Sequence, residues 1–393
     1  MGEGARAQIP AILAEHGHRI FVLVDPFIAT TPRFAALREA IVARGLDIES
    51  ASDIPPELPV ESLVALTARA REFGPDAILA VGGGSVLDAA KLVALLATHG
   101  GALPDYYGEN AVPGPVLPIV AVPTTAGTGS EATPVAVVSD PDRALKVGVS
   151  SRHLVPAVAV VDAEFTLGAP AGVTAASGID ALVHAAESYT AAPLELDWSA
   201  ELPVFLGRNL VSDTIALDAA QRIGRWLPVA VEQPEHREAR RELAYGSLLG
   251  GISFASSGTH LSHALQYPIG ALTHTPHGVG TGLMLPYVLD AIRVEPGTAG
   301  RIAELGLALG STADSVEGRV DDAVAITAQL GQRIGLPSSL AALGVEREQL
   351  PHIAELGLQS RRLLAISPIP ASAELLLEIL ERAHDGALTG RSI

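Results

Sequence analysis

The hydrophobic pattern changes character once along the chain. Up to about residue 168, short apolar runs alternate with stretches of helical period. Residues 19–25, RIFVLVD, hold a β-branched run of the kind that a parallel strand covered on both faces requires. Phe34, Leu37 and Ile41 then share one face of a helix expected over 32–43. A strand at 47–52, a helix over 60–73, a strand at 77–81 and a helix from about Val86 continue the alternation. Further strands are expected at 118–123, 134–139 and 157–162. Such alternation specifies an α/β domain, a mostly parallel, Rossmann-like sheet with helices on both faces. After Gly168 the strand-like runs stop, and helical periods fall at 214–227, 236–255, 297–309, 320–334 and 373–383. The expected domains are therefore 1–168, α/β, and 169–393, all-helical. Residues 194–209 have no clean period and read as a loop or an interface insertion.

Within the second half, residues 243–289 contain no Asp, Glu, Lys or Arg, yet carry His260, His263, His274 and His277. A charge-free run of this length is expected to be buried, and imidazole is the neutral side chain best suited to hold a transition metal there. Upstream, GIDALVHAAESY places Asp180 and His184 at i, i+4 on one helix face, turned away from Ile179, Leu182, Val183 and Ala186. A buried ionised carboxylate needs a cation. Asp180, His184, His263 and His277 are therefore expected to converge on one ion. Three imidazoles and a carboxylate suit Fe(II), Zn, Co or Ni rather than Mg or Ca. Tyr267, one turn after His263, is a candidate to position a cofactor ring or relay a proton; a half-buried core tyrosine is the alternative. His260 and His274 rank behind the four.

Composition narrows the partners. The 393 residues carry 26 Lys and Arg against 44 Asp and Glu, a net charge of −18, which disfavours nucleic acid or an anionic membrane surface. The chain is 48% hydrophobic and 18% charged, but turns and prolines interrupt every long apolar run, so a membrane span is not expected. MGEGARAQIP lacks an apolar signal core, and a cytoplasmic location is expected. With no Cys, any metal must be held by N and O ligands.

The first half carries its own candidate chemistry. Gly82, Gly83, Gly84 and Ser85 stand between a strand and a helix, where bare backbone and the positive helix end receive a pyrophosphate. The pattern is not GxGxxG, so the ordinary dinucleotide fingerprint is absent. A second polar, glycine-bearing loop at 124–130 is placed to close over the same cofactor. Asp25, at a strand end, matches a carboxylate that accepts an adenosine ribose and repels a 2′-phosphate, which favours NAD over NADP. A plain turn before Pro26 explains Asp25 equally well.

The blocks GGGSVLDAAK, PTTAGTGSE, GIDALVHAAESY and the pair SHALQYPIG…HTPHG resemble, in order and approximate spacing, those of the iron-containing (group III) alcohol dehydrogenases. The resemblance implies a dinucleotide-binding N-terminal domain, a helical metal-binding C-terminal domain of the dehydroquinate synthase-like fold, a cleft between them and a homodimer. It places Fe(II) or Zn on Asp180, His184, His263 and His277. It places NAD on Asp25, Gly83, Gly84, Ser85, Thr124, Thr125 and Thr128, with Asp88 and Lys146 bordering it. The implied activity is hydride transfer between the nicotinamide and a small alcohol or aldehyde, with Tyr267, His263 and His277 at the reacting centre. Relatives usually carry a strand or hairpin ahead of the segment matching residues 1–4, so either a missing edge strand or a truncated start is expected. Many relatives have histidine where Tyr267 stands; the YPI form is similar to the hydroxyacid–oxoacid transhydrogenase branch. The alternatives are a transhydrogenase-like or maleylacetate reductase-like oxidoreductase, a dehydroquinate synthase-like lyase, or a metal-binding protein without catalysis.

Overall fold

The computed structural model describes residues 1–143 and 146–388, together with the backbone of 391–392. The chain divides into two compact units, Met1–Leu167 and Gly168–Ile393. The expected second domain includes positions 389, 390 and 393, which lie outside the described residues.

In the first unit, five parallel strands lie in the order Asp47–Ala51, Arg19–Val24, Ala77–Gly82, Ile119–Pro123, Val158–Ala159. Alternate residues feed two separate cores. Phe21, Leu23, Ile78, Ala80, Ile119 and Ala121 pack on the side of helices Val60–Phe73 and Gly84–His99. Ile20, Val22, Leu79, Val81, Val120 and Val122 pack with Leu13, Phe34 and Leu37 on the other. Both faces of Arg19–Val24, Ala77–Gly82 and Ile119–Pro123 are dry, which is why these three strands read as unbroken apolar runs.

Two expected strands differ. Val135–Val138 leaves the parallel sheet and pairs antiparallel with Val147–Ser150 in a separate three-stranded sheet. Its burial alternates residue by residue, as a strand with one dry face must. Of 157–162, only Val158 and Ala159 pair.

The second unit is built around helix Ala171–Thr190. Every residue from Gly178 to Thr190 is buried, so this helix is enclosed on all sides rather than amphipathic. Helices Leu210–Glu232, Arg237–Ser257, Leu261–Thr273 and His277–Ile292 follow, then Pro296–Ala308, Val316–Arg333 and Ala373–Asp385. Residues 194–209 form a loop closed by a bridge between Pro193 and Gly207. The all-helical expectation is corrected at one place, a short antiparallel pair of Ala387–Leu388 with Arg391–Ser392. Among the described residues no helix is long and apolar enough to cross a membrane.

Candidate functional site

Three helices bring the expected ligands together in the second unit. Asp180 and His184 lie on the buried helix, with His184 Nε2 3.7 Å from Asp180 Oδ2. His263, in the first turn of Leu261–Thr273, sets Nε2 3.9 Å from Asp180 Oδ1, and His277, which opens His277–Ile292, sets Nε2 3.8 Å from the same oxygen. Ligand atoms of Asp180, His263 and His277 all lie within 4.8 Å of one another. These separations exceed hydrogen-bond length. They suit atoms that each sit about 2.0–2.2 Å from a shared ion. His184 adjoins this group without belonging to the set of mutually close ligand atoms, its ring stacked on Phe254 at 4.3 Å and on His263 at 5.0 Å between centroids.

Close packing sets this spacing. Gly278 lies so near the Ala176 carbonyl that a Cβ would stand 1.9 Å from its oxygen. Any side chain at that position would drive His277 away from Asp180. Gly250 makes a similar approach to Ala181 O, bringing helix Arg237–Ser257, and with it Phe254, against His184.

Electrostatics fit a cation site. Burial alone raises the Asp180 carboxyl, but His184, His277, His263 and the Thr281 hydroxyl, 2.8 Å away, outweigh it and hold the carboxyl below its ordinary value. Burial, with His184, His277 and Arg362, holds His263 well below the usual imidazole range, against Asp180. A neutral ring keeps a lone pair to offer. His263 Nδ1 is 2.7 Å from Glu187 Oε2, while buried Nε2 has no hydrogen-bond partner among the described residues. A lone pair, a carboxylate oxygen and a second imidazole thus face one another. The donor set fits a divalent transition metal. Of the four side chains His277 is the most open, 32% exposed, while the others are buried.

The remaining candidates separate clearly. Tyr267 is half-buried and stacks on His277, ring centroids 6.0 Å apart. His260 is buried, with Nε2 2.9 Å from Thr190 Oγ1 and Nδ1 3.3 Å from Glu187 Oε1, outside the ligand group. His274 is exposed and ends its helix with φ 53°, a left-handed position. The sequence reading passed over Glu187, Thr281 and Phe254. Glu187 was within reach: with Asp180 and His184 it completes an i, i+4, i+7 stripe on one helix.

In the first unit, the three expected cofactor segments leave neighbouring strands at their carboxyl ends, the edge where α/β sheets bind ligands. Asp25 N donates to Val81 O (2.9 Å), and Thr124 N donates to Gly82 O (3.0 Å). Helix Gly84–His99 starts without a side-chain cap at Gly83. The loop over 124–130 packs on this turn: a Cβ on Gly84 would come within 2.7 Å of Thr128 Cγ2, and one on Gly83 within 3.3 Å of Thr125. Ser85 follows in the first turn of the helix. Asp25 also caps the short helix Pro26–Ala29, and both bonds, from Phe27 N and Ile28 N, fall on Oδ1. Lys146 Nζ bonds Glu57 at 2.9 Å.

Asp88 belongs to a cluster under that loop. It accepts from Ser130 Oγ (2.6 Å) and Val137 N (2.9 Å). Lys91, fully buried, donates to Thr133 O, Thr133 Oγ1 and Val135 O. Burial pushes its ammonium down to about 8, against the pull of Asp88 and Glu131, and pushes the Glu131 carboxyl up to about 7. Burial also raises Asp88, against Lys91 and its two hydrogen bonds.

Comparison with known proteins fits both halves. Residues 1–163 match the model of the iron-containing alcohol dehydrogenase family, and residues 174–384 match that of the family's C-terminal region. Long-chain-alcohol dehydrogenase 1 of Geobacillus thermodenitrificans is 33% identical over 99% of this chain and 95% of its own. The NAD-dependent methanol dehydrogenase of Bacillus methanolicus is 32% identical over 90% of each. The crystal structure of a 1,3-propanediol oxidoreductase superposes with a TM-score of 0.90 at 28% identity, covering 97% of this chain and 96% of that one. With matched segments spanning nearly its whole length, the chain belongs to the iron-containing alcohol dehydrogenase family and is an oxidoreductase acting on CH–OH groups.

Proposed function

We propose that the protein is a metal-dependent, NAD(H)-linked alcohol dehydrogenase or aldehyde reductase acting on a small alcohol or aldehyde. One observation carries the reading: Asp180, His263 and His277 bring ligand atoms within 4.8 Å of one another, His184 adjoins them, and the buried His263 Nε2 has no hydrogen-bond partner among the described residues. Held by these four side chains, Fe(II) or Zn supplies Lewis-acid chemistry, lowering the pKa of an alcohol and polarising a carbonyl. A bound nicotinamide would supply the hydride acceptor for an alcohol or the hydride donor for an aldehyde.

The chain's own groups do the rest. Thr281 holds Asp180 Oδ1 in place, so that the carboxylate stays ionised and oriented. Tyr267 stacks its ring on His277, the open side of the ligand group, and we assign its phenol the relay of the alcohol proton to solvent. In the first unit, the backbone at Gly83, Gly84 and Ser85 and the uncapped helix start receive the pyrophosphate, with Thr124, Thr125 and Thr128 closing over it. Asp25 takes the ribose through Oδ2, its other oxygen being engaged by the helix cap, and discriminates against NADP. Asp88 supports the loop through Ser130. A dehydroquinate synthase-like lyase has no comparable support, because no Lys or Arg stands on the three ligand-bearing helices to receive a phosphorylated substrate.

Protein reconstituted with Fe(II) or Zn(II) is expected to oxidise NADH with short aldehydes, measured at 340 nm, and to prefer NADH to NADPH. His263→Ala should remove that activity. Unchanged turnover in this variant would refute the ligand assignment.

A further inference from the structure

Two histidines of the ligand group are held differently at the back of the ring. His184 is held by stacking between Phe254 and His263, and its Nδ1 has no hydrogen-bond partner among the described residues. His263 is gripped by a carboxylate: Glu187 Oε2 lies 2.7 Å from Nδ1. Glu187 is itself buried, its side chain 1% exposed. It also accepts the backbone N–H of His260 on Oε2 (2.9 Å) and that of Ser262 on Oε1. Helix Leu261–Thr273 has no side-chain cap of its own at His260, so this carboxylate from another helix does the capping.

Both Glu187 oxygens already take a backbone N–H and so face His263 as acceptors. The proton between Glu187 and His263 therefore belongs to Nδ1, and Nε2 must carry a lone pair. Free histidine in water favours the opposite form, Nε2–H. In that form His263 would present a donor towards Asp180 Oδ1, 3.9 Å away, and would be a hydrogen-bonding partner of the carboxylate rather than a metal ligand.

We infer that Glu187 is a positioning residue that fixes His263 as the Nδ1–H tautomer and so keeps its Nε2 available to a metal ion. The inference rests on the reading of Asp180, His184, His263 and His277 as the ligand set. Glu187→Gln keeps the shape but offers one acceptor and one NH₂ to three N–H donors, so at least one donor meets a donor.

The test uses the full chain with metal removed by chelation and histidine labelled with ¹⁵N. Long-range ¹H–¹⁵N spectra of the wild type should show His263 protonated on Nδ1, with the assignment made by the missing signal in His263→Ala. Calorimetric titration with Zn(II) should give an affinity about 10–100-fold weaker for Glu187→Gln, while NAD affinity stays the same. An Nε2–H signal for wild-type His263, or equal Zn(II) affinity in wild type and variant, would overturn the role of Glu187. A helix cap without the tautomer role gives that second result. If the variant fails to fold by circular dichroism, the wild-type spectrum alone decides. A wild type that binds no Zn(II) would remove the ligand assignment itself, which is a distinguishable failure.

Discussion

Around Lys91, the one strong donor meets three acceptors and the neighbouring carboxylate of Asp88 has its own donors; around Asp180, the acceptors face each other. Both clusters are buried, and both mix charge with small polar residues. The Lys91 cluster is closed by protein groups and reads as a strut beneath the loop at 124–130. In the Asp180 cluster the buried Nε2 of His263 has no hydrogen-bond partner among the described residues. Unanswered atoms, more than buried charge as such, separate a ligand site from an internal brace.

The sharpest way to break this contrast is metal removal. In the wild type, chelation should lower stability by about 3 kcal/mol relative to protein with free metal a hundredfold above its dissociation constant. Asp180→Ala should abolish both that response and the activity. A thermal melt with and without Zn(II) reads it. Equal responses in wild type and variant would show that the open cluster binds nothing.

A smaller effect is expected from Gly84→Val, whose side chain would collide with Thr128. Misplacement of about 1 Å at a binding loop costs up to a hundredfold, so the KM for NADH should rise about ten- to a hundredfold. The stabilisation by metal should be unchanged. Steady-state kinetics beside the same melts separate the two sites, and a coupled loss would contradict their independence.

The smallest concerns the closed cluster. Glu131 is raised from 4.5 to about 7, so its folded form binds more protons than its unfolded form across that range. The stability it contributes is fully present below 4.5 and is lost as pH rises through about 7. Lys91, lowered from 10.5 to about 8, acts in the opposite sense: its contribution is present above 10.5 and is lost as pH falls through about 8. Near pH 7 to 8 both are at their least favourable. Relative to Glu131→Gln, the wild type should lose about 1 kcal/mol between pH 6 and pH 7. Urea unfolding of both proteins at the two pH values measures it; parallel curves would mean that Glu131 does not titrate there.

Much of this was legible in the chain because two kinds of pattern are local. Strands such as Arg19–Val24 and Ile119–Pro123 are dry on both faces and show as continuous apolar runs. Asp180 and His184 share a helix face at i, i+4. The pairing of Val135–Val138 was not legible, since a run of four apolar residues does not name its neighbour; the antiparallel partner at Val147–Ser150 decides it. The face of Asp180 and His184 turns away from Ile179, Leu182, Val183 and Ala186, and what covers it was not legible: glycines on two other helices do so. The place of Glu187 on the stripe with Asp180 and His184 was readable, but its role was not, because the N–H groups of residues 260 and 262 that it accepts arrive from elsewhere.

The contact of Gly278 with the Ala176 carbonyl has a consequence for metal choice. Asp180 and His277 are carried by rods whose separation is set by bare backbone, beside His277 on one rod and one turn before Asp180 on the other. The bore of the site is thus machined by main-chain atoms, and the imidazoles inherit it. A chain adapted to a larger ion could keep all four ligands and change only what stands at that crossing.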